Sequence, residues 1–214
     1  MSRFFSIDNP IWAAIDTFFK IMLLNVLWVI CSLPVLTMGA STTALTYACM
    51  KLRKKEGYVT KNFFHSFKEN LGQATVLFLI FLAGGAFLAA DMILGNQSQT
   101  MYGNLMRILA FVLAVPYTFT LVYVFAVQSK FVNRVPDTIR YAFFLSVQNW
   151  KYTFLMIFLY IFLLWVNTTI VLVNLLTLMF GVGAVMYICA SYYEKIFEPF
   201  LGETNAQEET DGQN

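Results

Sequence analysis

The chain has 214 residues, 59% hydrophobic and only 12% charged, with a net charge of +2. Soluble domains carry about 25% charged residues, so composition excludes an ordinary water-soluble domain. Ten of the 14 lysines and arginines lie in 51–68 or 130–151, a clustering that reads as membrane topology and not as a nucleic-acid surface.

Residues 1–20 read as a lead-in helix. Asp8 or Asn9 can cap it and Pro10 suits its first position. Ile11, Ile15, Phe18 and Phe19 share an apolar side, Asp16 and Lys20 can pair, and Trp12 fits a headgroup anchor. The segment reads as interfacial, or else as the first turns of the span that follows.

No charge occurs over 21–50. These 30 residues exceed the roughly 20 needed to cross a bilayer core, so the first expectation is one long membrane span. It should be kinked near Ser32, because Pro34 lacks an N–H and clashes with the turn before it. The alternative is a shorter span plus a re-entrant helix, with the N-terminus inside. Ala40, Ala44 and Ala48 form a small-residue ridge that suits close helix packing. The polar and aromatic groups around the break (Asn25, Trp28, Ser32, Pro34, Ser41, Thr42 and Thr43) are candidate ligand or helix-break contacts. Rings beside neutral hydrogen-bonding groups suit sugars, and interhelical hydrogen bonds account for the same residues.

The basic run Lys51, Arg53, Lys54, Lys55 follows, and Gly57 closes the preceding helix. Over 60–71, Phe63, Phe64, Phe67 and Leu71 alternate with Lys61, Lys68 and Glu69, predicting a short amphipathic helix on the membrane surface. Span two is 74–94, span three 105–129 with Pro116 inside it. A second basic segment carries Lys130, Arg134, Arg140 and Lys151, with an apolar stripe of Ile139, Phe143, Phe144 and Val147 over 137–149. Residues 153–193 are uncharged, enough for two spans with a turn near 167–174, the last at 175–197. The acidic tail, 201–214, reads as disordered.

A shift of 79 residues superposes Lys51 on Lys130, Lys55 on Arg134, Lys61 on Arg140, Phe64 on Phe143 and Asn70 on Asn149. The shared order is proline-broken span, basic turn, amphipathic helix, Asn, span. It suggests a parallel internal repeat, units 21–94 and 100–173, within one transmembrane domain, 1–200. The fold class is therefore all-α: a polytopic membrane protein of about five transmembrane helices with two cytoplasmic amphipathic helices. Two spans separate the basic segments, so both lie on one side. By the positive-inside rule that side and the C-terminus are cytoplasmic, and the N-terminus is outside.

No chemistry emerges. One histidine, His65, and three cysteines in apolar surroundings, Cys31, Cys49 and Cys189, form no catalytic or metal-binding set and no disulfide framework. The reading is a non-enzyme without cofactor or metal whose partners are the bilayer and other proteins. Candidate cytoplasmic docking residues are Lys51, Arg53, Lys54, Lys55, Lys61, Phe64, Lys68, Arg134 and Arg140.

Four pieces together resemble a known family: N-x-L-W-x-x-C-S-L-P over 25–34, T-x-G-A-S-T-T-A over 37–44, E-G-Y over 56–58, and F-x-x-S-F-K-x-N-x-x-Q-A-T over 63–75. They look like the hallmark region of the YesL-like family of bacterial integral membrane proteins, a family of unknown function. The resemblance implies a bacterial plasma-membrane location. It also implies an association with carbohydrate ABC transporters, whose genes often accompany those of the family. The leading expectation is an accessory role in carbohydrate ABC transport or its sensing, with permease or sensor subunits as partners. The alternatives are a small-solute, sugar-like permease with its site at the Pro34 break, and a membrane assembly factor.

Overall fold

The structure, a computed structural model, describes residues 10–97, 100–131, 133–169, 174 and 176–211. Every regular element among them is helical: α1 (Pro10–Ser32), a 3₁₀ turn (Val35–Thr37), α2 (Met38–Arg53), α3 (Val59–Gln97), α4 (Met101–Lys130), α5 (Val135–Gln148), α6 (Trp150–Thr169), a π turn (Thr177–Gly181) and α7 (Val182–Asp211). Four helical stretches are long and apolar enough to cross a membrane: Trp12–Ser32, Val59–Gln97, Met101–Lys130 and Trp150–Thr168. The uncharged run ending at Tyr193 supplies a fifth helix beside them, the first half of α7. The chain is thus consistent with a multi-pass membrane protein.

The first span differs from expectation. The Trp28 indole N–H donates to Thr42 Oγ1 at 3.2 Å, and Ser41 Oγ donates to the Trp28 carbonyl at 3.0 Å. In one continuous helix residues 28 and 42 would stand about 21 Å apart. The chain therefore turns a corner at 33–37, and 21–50 is not one kinked span. The lead-in residues from Pro10 are the first turns of α1, which is itself long and apolar enough to cross a membrane, and the expected Asp16–Lys20 pair forms at 2.5 Å. The proposed caps Asp8 and Asn9 lie outside the described residues.

α2 packs closely on α3. A Cβ on Gly39 would fall 2.3 Å from the Ala74 carbonyl oxygen and 2.7 Å from Phe78 Cβ, so the start of α2 abuts the middle of α3. From there α2 runs back along the polar part of α3, 59–73, to the basic turn. Eleven of its 16 residues are buried, Ala40, Ala44 and Ala48 completely. The small-residue ridge does what its spacing suggested, against protein rather than across lipid.

The amphipathic segment 60–71 is also not a separate surface helix. It is the opening of α3, which continues without a break for 39 residues. That is about 58 Å of helix, roughly twice a hydrocarbon core of about 30 Å. Gly72 alone does not stop a helix, and Phe63, Leu77 and Phe81 all face inward along the same rod.

α3 and α4 are antiparallel along their length. Gly95 meets Gly103, Tyr117 donates to the Phe81 carbonyl at 2.7 Å, and Gln128 meets Asn70. Pro116 sits inside α4 without breaking it, so the proline-broken first span belongs to the first unit only. α5 folds back on the end of α4, and α6 restarts after Asn149. α6 and α7 rise and return, with Thr153 bonded to Tyr123 and Tyr193 to the Val122 carbonyl. α1 meets the start of α7, Phe18 against Phe180 and Asn25 against Gly183. The turn expected at 167–174 falls largely outside the described residues. Past Pro199, α7 continues to Asp211.

Candidate functional site

The corner is built from hydroxyls. Pro34 donates nothing, and Thr37 Oγ1 lies 2.6 Å from the Cys31 carbonyl and 2.8 Å from that of Pro34. Thr42 and Thr43 donate to Met38 and Gly39 of their own helix. Asn25, fully buried, faces away from the corner and accepts the Gly183 N–H through Oδ1 at 2.6 Å. The π turn just before Gly183 shifts the helical hydrogen-bond register there, and Asn25 supplies an acceptor from another helix. Gly183 is needed for that approach, since a Cβ would lie 3.0 Å from the Ile21 carbonyl oxygen.

Of the seven corner candidates, the structure brings Trp28, Ser41 and Thr42 into direct contact. Thr43 serves its own helix, Pro34 is exposed, and Ser32 Oγ is buried without a hydrogen-bond partner. Beside these contacts Leu24, Ala40, Ala44 and Leu45 have no exposed surface. The corner holds no Asp, Glu, His, Lys or Arg, and its hydroxyl donors other than Ser32 are engaged within the protein.

The basic end is where the charged candidates gather. Lys51 pairs with Glu56, which holds the Glu56 carboxyl below and the Lys51 ammonium above their usual values. Arg53 Nε donates to Glu194 Oε2 at 3.2 Å, with the guanidinium 5.3 Å from the Tyr187 ring centre. Burial, then Lys54 and Lys51, hold Lys130 below the ordinary lysine range. The first and second basic segments therefore meet at one end of the molecule, as their separation by two spans required. Lys55 and Gly57 have positive φ, +57° and +67°, which turns the chain tightly between α2 and α3. The Asn62 side-chain amide ties that turn by donating to the Glu56 carbonyl at 2.8 Å. Lys54, Lys61, Phe64, Lys68, Arg134 and Arg140 remain exposed.

One constellation escaped the sequence reading. Gln128, 4% exposed, donates from Nε2 to Asn70 Oδ1 at 2.9 Å and to Gln73 Oε1 at 2.8 Å, while its Oε1 accepts from Thr138 at 3.2 Å. One amide thus clamps α3, α4 and α5. The available signal was a glutamine at the end of an apolar run, opposite the Asn and Gln that precede the apolar part of α3. Its chemistry is structural, since both of its polar atoms are used.

The three thiols are free, with Cys49 and Cys189 buried, as their apolar surroundings suggested. Among the described residues no group of His, Cys, Asp and Glu could hold a metal ion. At the far end an open, shallow cleft is lined by Met92, Ile93, Asn96, Gln97 and Arg107, away from the corner.

Residues 21–92 match a family described as "Protein of unknown function, DUF624". The match runs from within α1 through the corner, α2 and the basic turn to near the end of α3. The likeness to YesL-like membrane proteins is consistent with that family. No curated protein and no solved structure matches the chain.

Proposed function

Taking that family of unknown function as premise, we propose that the protein is a non-catalytic, multi-pass component of the bacterial plasma membrane. In this reading it assists a carbohydrate ABC transporter or its sensor. The basic end faces the cytoplasm, because short loops rich in Lys and Arg stay on that side. The α1 N-terminus is then outside.

The observation that carries the reading is the shape of the basic end. α2 and residues 59–73 of α3 form a hairpin packed by protein, standing about 22 Å beyond the apolar part of α3. A helix that only crosses lipid has no need of that extension. Its outer surface offers Tyr58, Lys61, Phe64 and Lys68, mixed aromatic and cationic groups suited to a protein partner. The permease alternative has less support, because Trp28, Ser41 and Thr42 beside the helix break are bonded to one another.

The test is purification of the tagged chain in mild detergent from its native membrane. Recovery of a permease or sensor subunit, lost in the Phe64→Ala, Lys68→Glu variant, supports the role. Recovery of neither subunit counts against it.

A further inference from the structure

We infer that α5 is a membrane-surface helix whose outward face binds the anionic headgroups of phospholipids. This distinguishes the second amphipathic segment from the first, which stands clear of the membrane. The inference rests on the lipid-embedded fold and not on the transporter reading.

Three observations carry it. α5 turns Thr138, Ala142, Leu145 and Ser146 inward, yet its opposite face is also apolar: Tyr141, Phe143, Phe144 and Val147 are all exposed, Phe144 by 61%. Arg140 lies in the middle of that face, at i, i+3, i+4 and i+7 from Phe143, Phe144 and Val147, with its side chain 83% exposed. It pairs with Asp137 at 3.9 Å and still keeps most of its guanidinium open to the surroundings.

The second observation is depth. Thr138, at the start of α5, bonds Gln128, which bonds Asn70 and Gln73. Those residues immediately precede the apolar stretch of α3 that begins at Ala74, so they mark the level where hydrocarbon gives way to headgroups. The third is continuity. At its other end the face runs into Trp150, 54% exposed with Lys151 Nζ 5.8 Å from its ring centre, and then into the exposed Phe154, Phe158 and Phe162 of α6. An apolar face bearing cations, level with the headgroups and joined to a lipid-facing span, fits an anionic leaflet rather than a soluble partner.

The experiment uses the full chain in nanodiscs of phosphatidylcholine with 30% phosphatidylglycerol. Phe144→Cys and, separately, Phe64→Cys, both in a Cys31→Ser background, carry an environment-sensitive fluorophore. We expect headgroup-proximal spin-labelled lipid to quench the label at position 144, and iodide in water to quench the one at position 64. Native mass spectrometry should find retained phosphatidylglycerol reduced about fivefold for each charge removed in Arg140→Gln and Lys151→Gln. Quenching of position 144 by iodide alone would overturn the inference, and so would unchanged phosphatidylglycerol retention in both charge variants. A failed partner pull-down affects neither readout.

Discussion

The two ends of α4 show how differently one helix can be held. Over 101–119 only Gly103 and Ala110 are buried, whereas over 120–129 seven residues are: Thr120, Tyr123, Val124, Ala126, Val127, Gln128 and Ser129. The composition of the two parts is similarly apolar, so hydrophobicity does not make the difference. The far part is matched by little protein, and its exposed Leu105, Ile108, Phe111 and Leu113 require lipid. The near part is surrounded by α2, α3, α5, α6 and α7 and carries the polar clamp. α3 and α4 are thus lipid-solvated at one end and packed by protein at the other.

That contrast is breakable. The largest effect is expected at Gly39, where any Cβ collides with the Ala74 backbone oxygen, an atom that cannot swing away. Gly39→Ala should cost at least the ~1–3 kcal/mol typical of overpacking, read as lower thermal stability in detergent. The same substitution at Gly72, where nothing lies within 4 Å of the added methyl, should stabilise by about 0.5–1 kcal/mol.

Next comes Gln128→Leu, which strands the fully buried Thr138 hydroxyl and the half-buried Asn70 oxygen and should cost about 1–3 kcal/mol. Leu113→Ala, on the lipid-facing part of the same helix, should change stability by less than about 0.5 kcal/mol. Equal costs at the two sites would erase the distinction between the ends.

Smaller still is the Arg53–Glu194 pair, which joins α2 to α7 at a partly exposed site. A double-mutant cycle with Arg53→Gln and Glu194→Gln should return a coupling of about 0.2–1 kcal/mol.

The mildest effect is electrostatic. Lys130 is held below the ordinary lysine value, so its protonated form is disfavoured in the folded protein. That contribution destabilises at neutral pH and fades as pH rises through the lowered value toward the unfolded one. Lys54→Gln removes a repelling charge, raises the Lys130 pKa and should slow acylation of Lys130 at fixed alkaline pH.

Much of this was legible in residues, for identifiable reasons. Charge clustering placed the two basic segments together, because a lysine cannot stay in hydrocarbon. The spacing of Ala40, Ala44 and Ala48 announced a close helix contact. Hydropathy marked where lipid begins on α3, at Ala74, but not where the helix begins. Helix continuity depends on local backbone preferences that Lys68, Glu69 and Gly72 do not violate, so 60–71 looked separate. Pro34 signalled a break without its direction. The turn back depends on Thr37 and on the meeting of Trp28 with Ser41 and Thr42, contacts set by tertiary packing. Gln128 was hidden because one polar residue in an apolar run has no periodicity.

The central claim is that α3 is one rod, half in protein and water and half in lipid. The direct measurement is a spin-label accessibility scan of residues 60–94 in reconstituted protein, with oxygen as the lipid-soluble relaxant and a nickel chelate as the water-soluble one. Helical periodicity should run without interruption, with nickel access on the outer face through 71 and a change to oxygen access from 74 onward. Oxygen access already at 61, 64 and 68, with the periodicity broken near 72, would show a separate surface helix and contradict it.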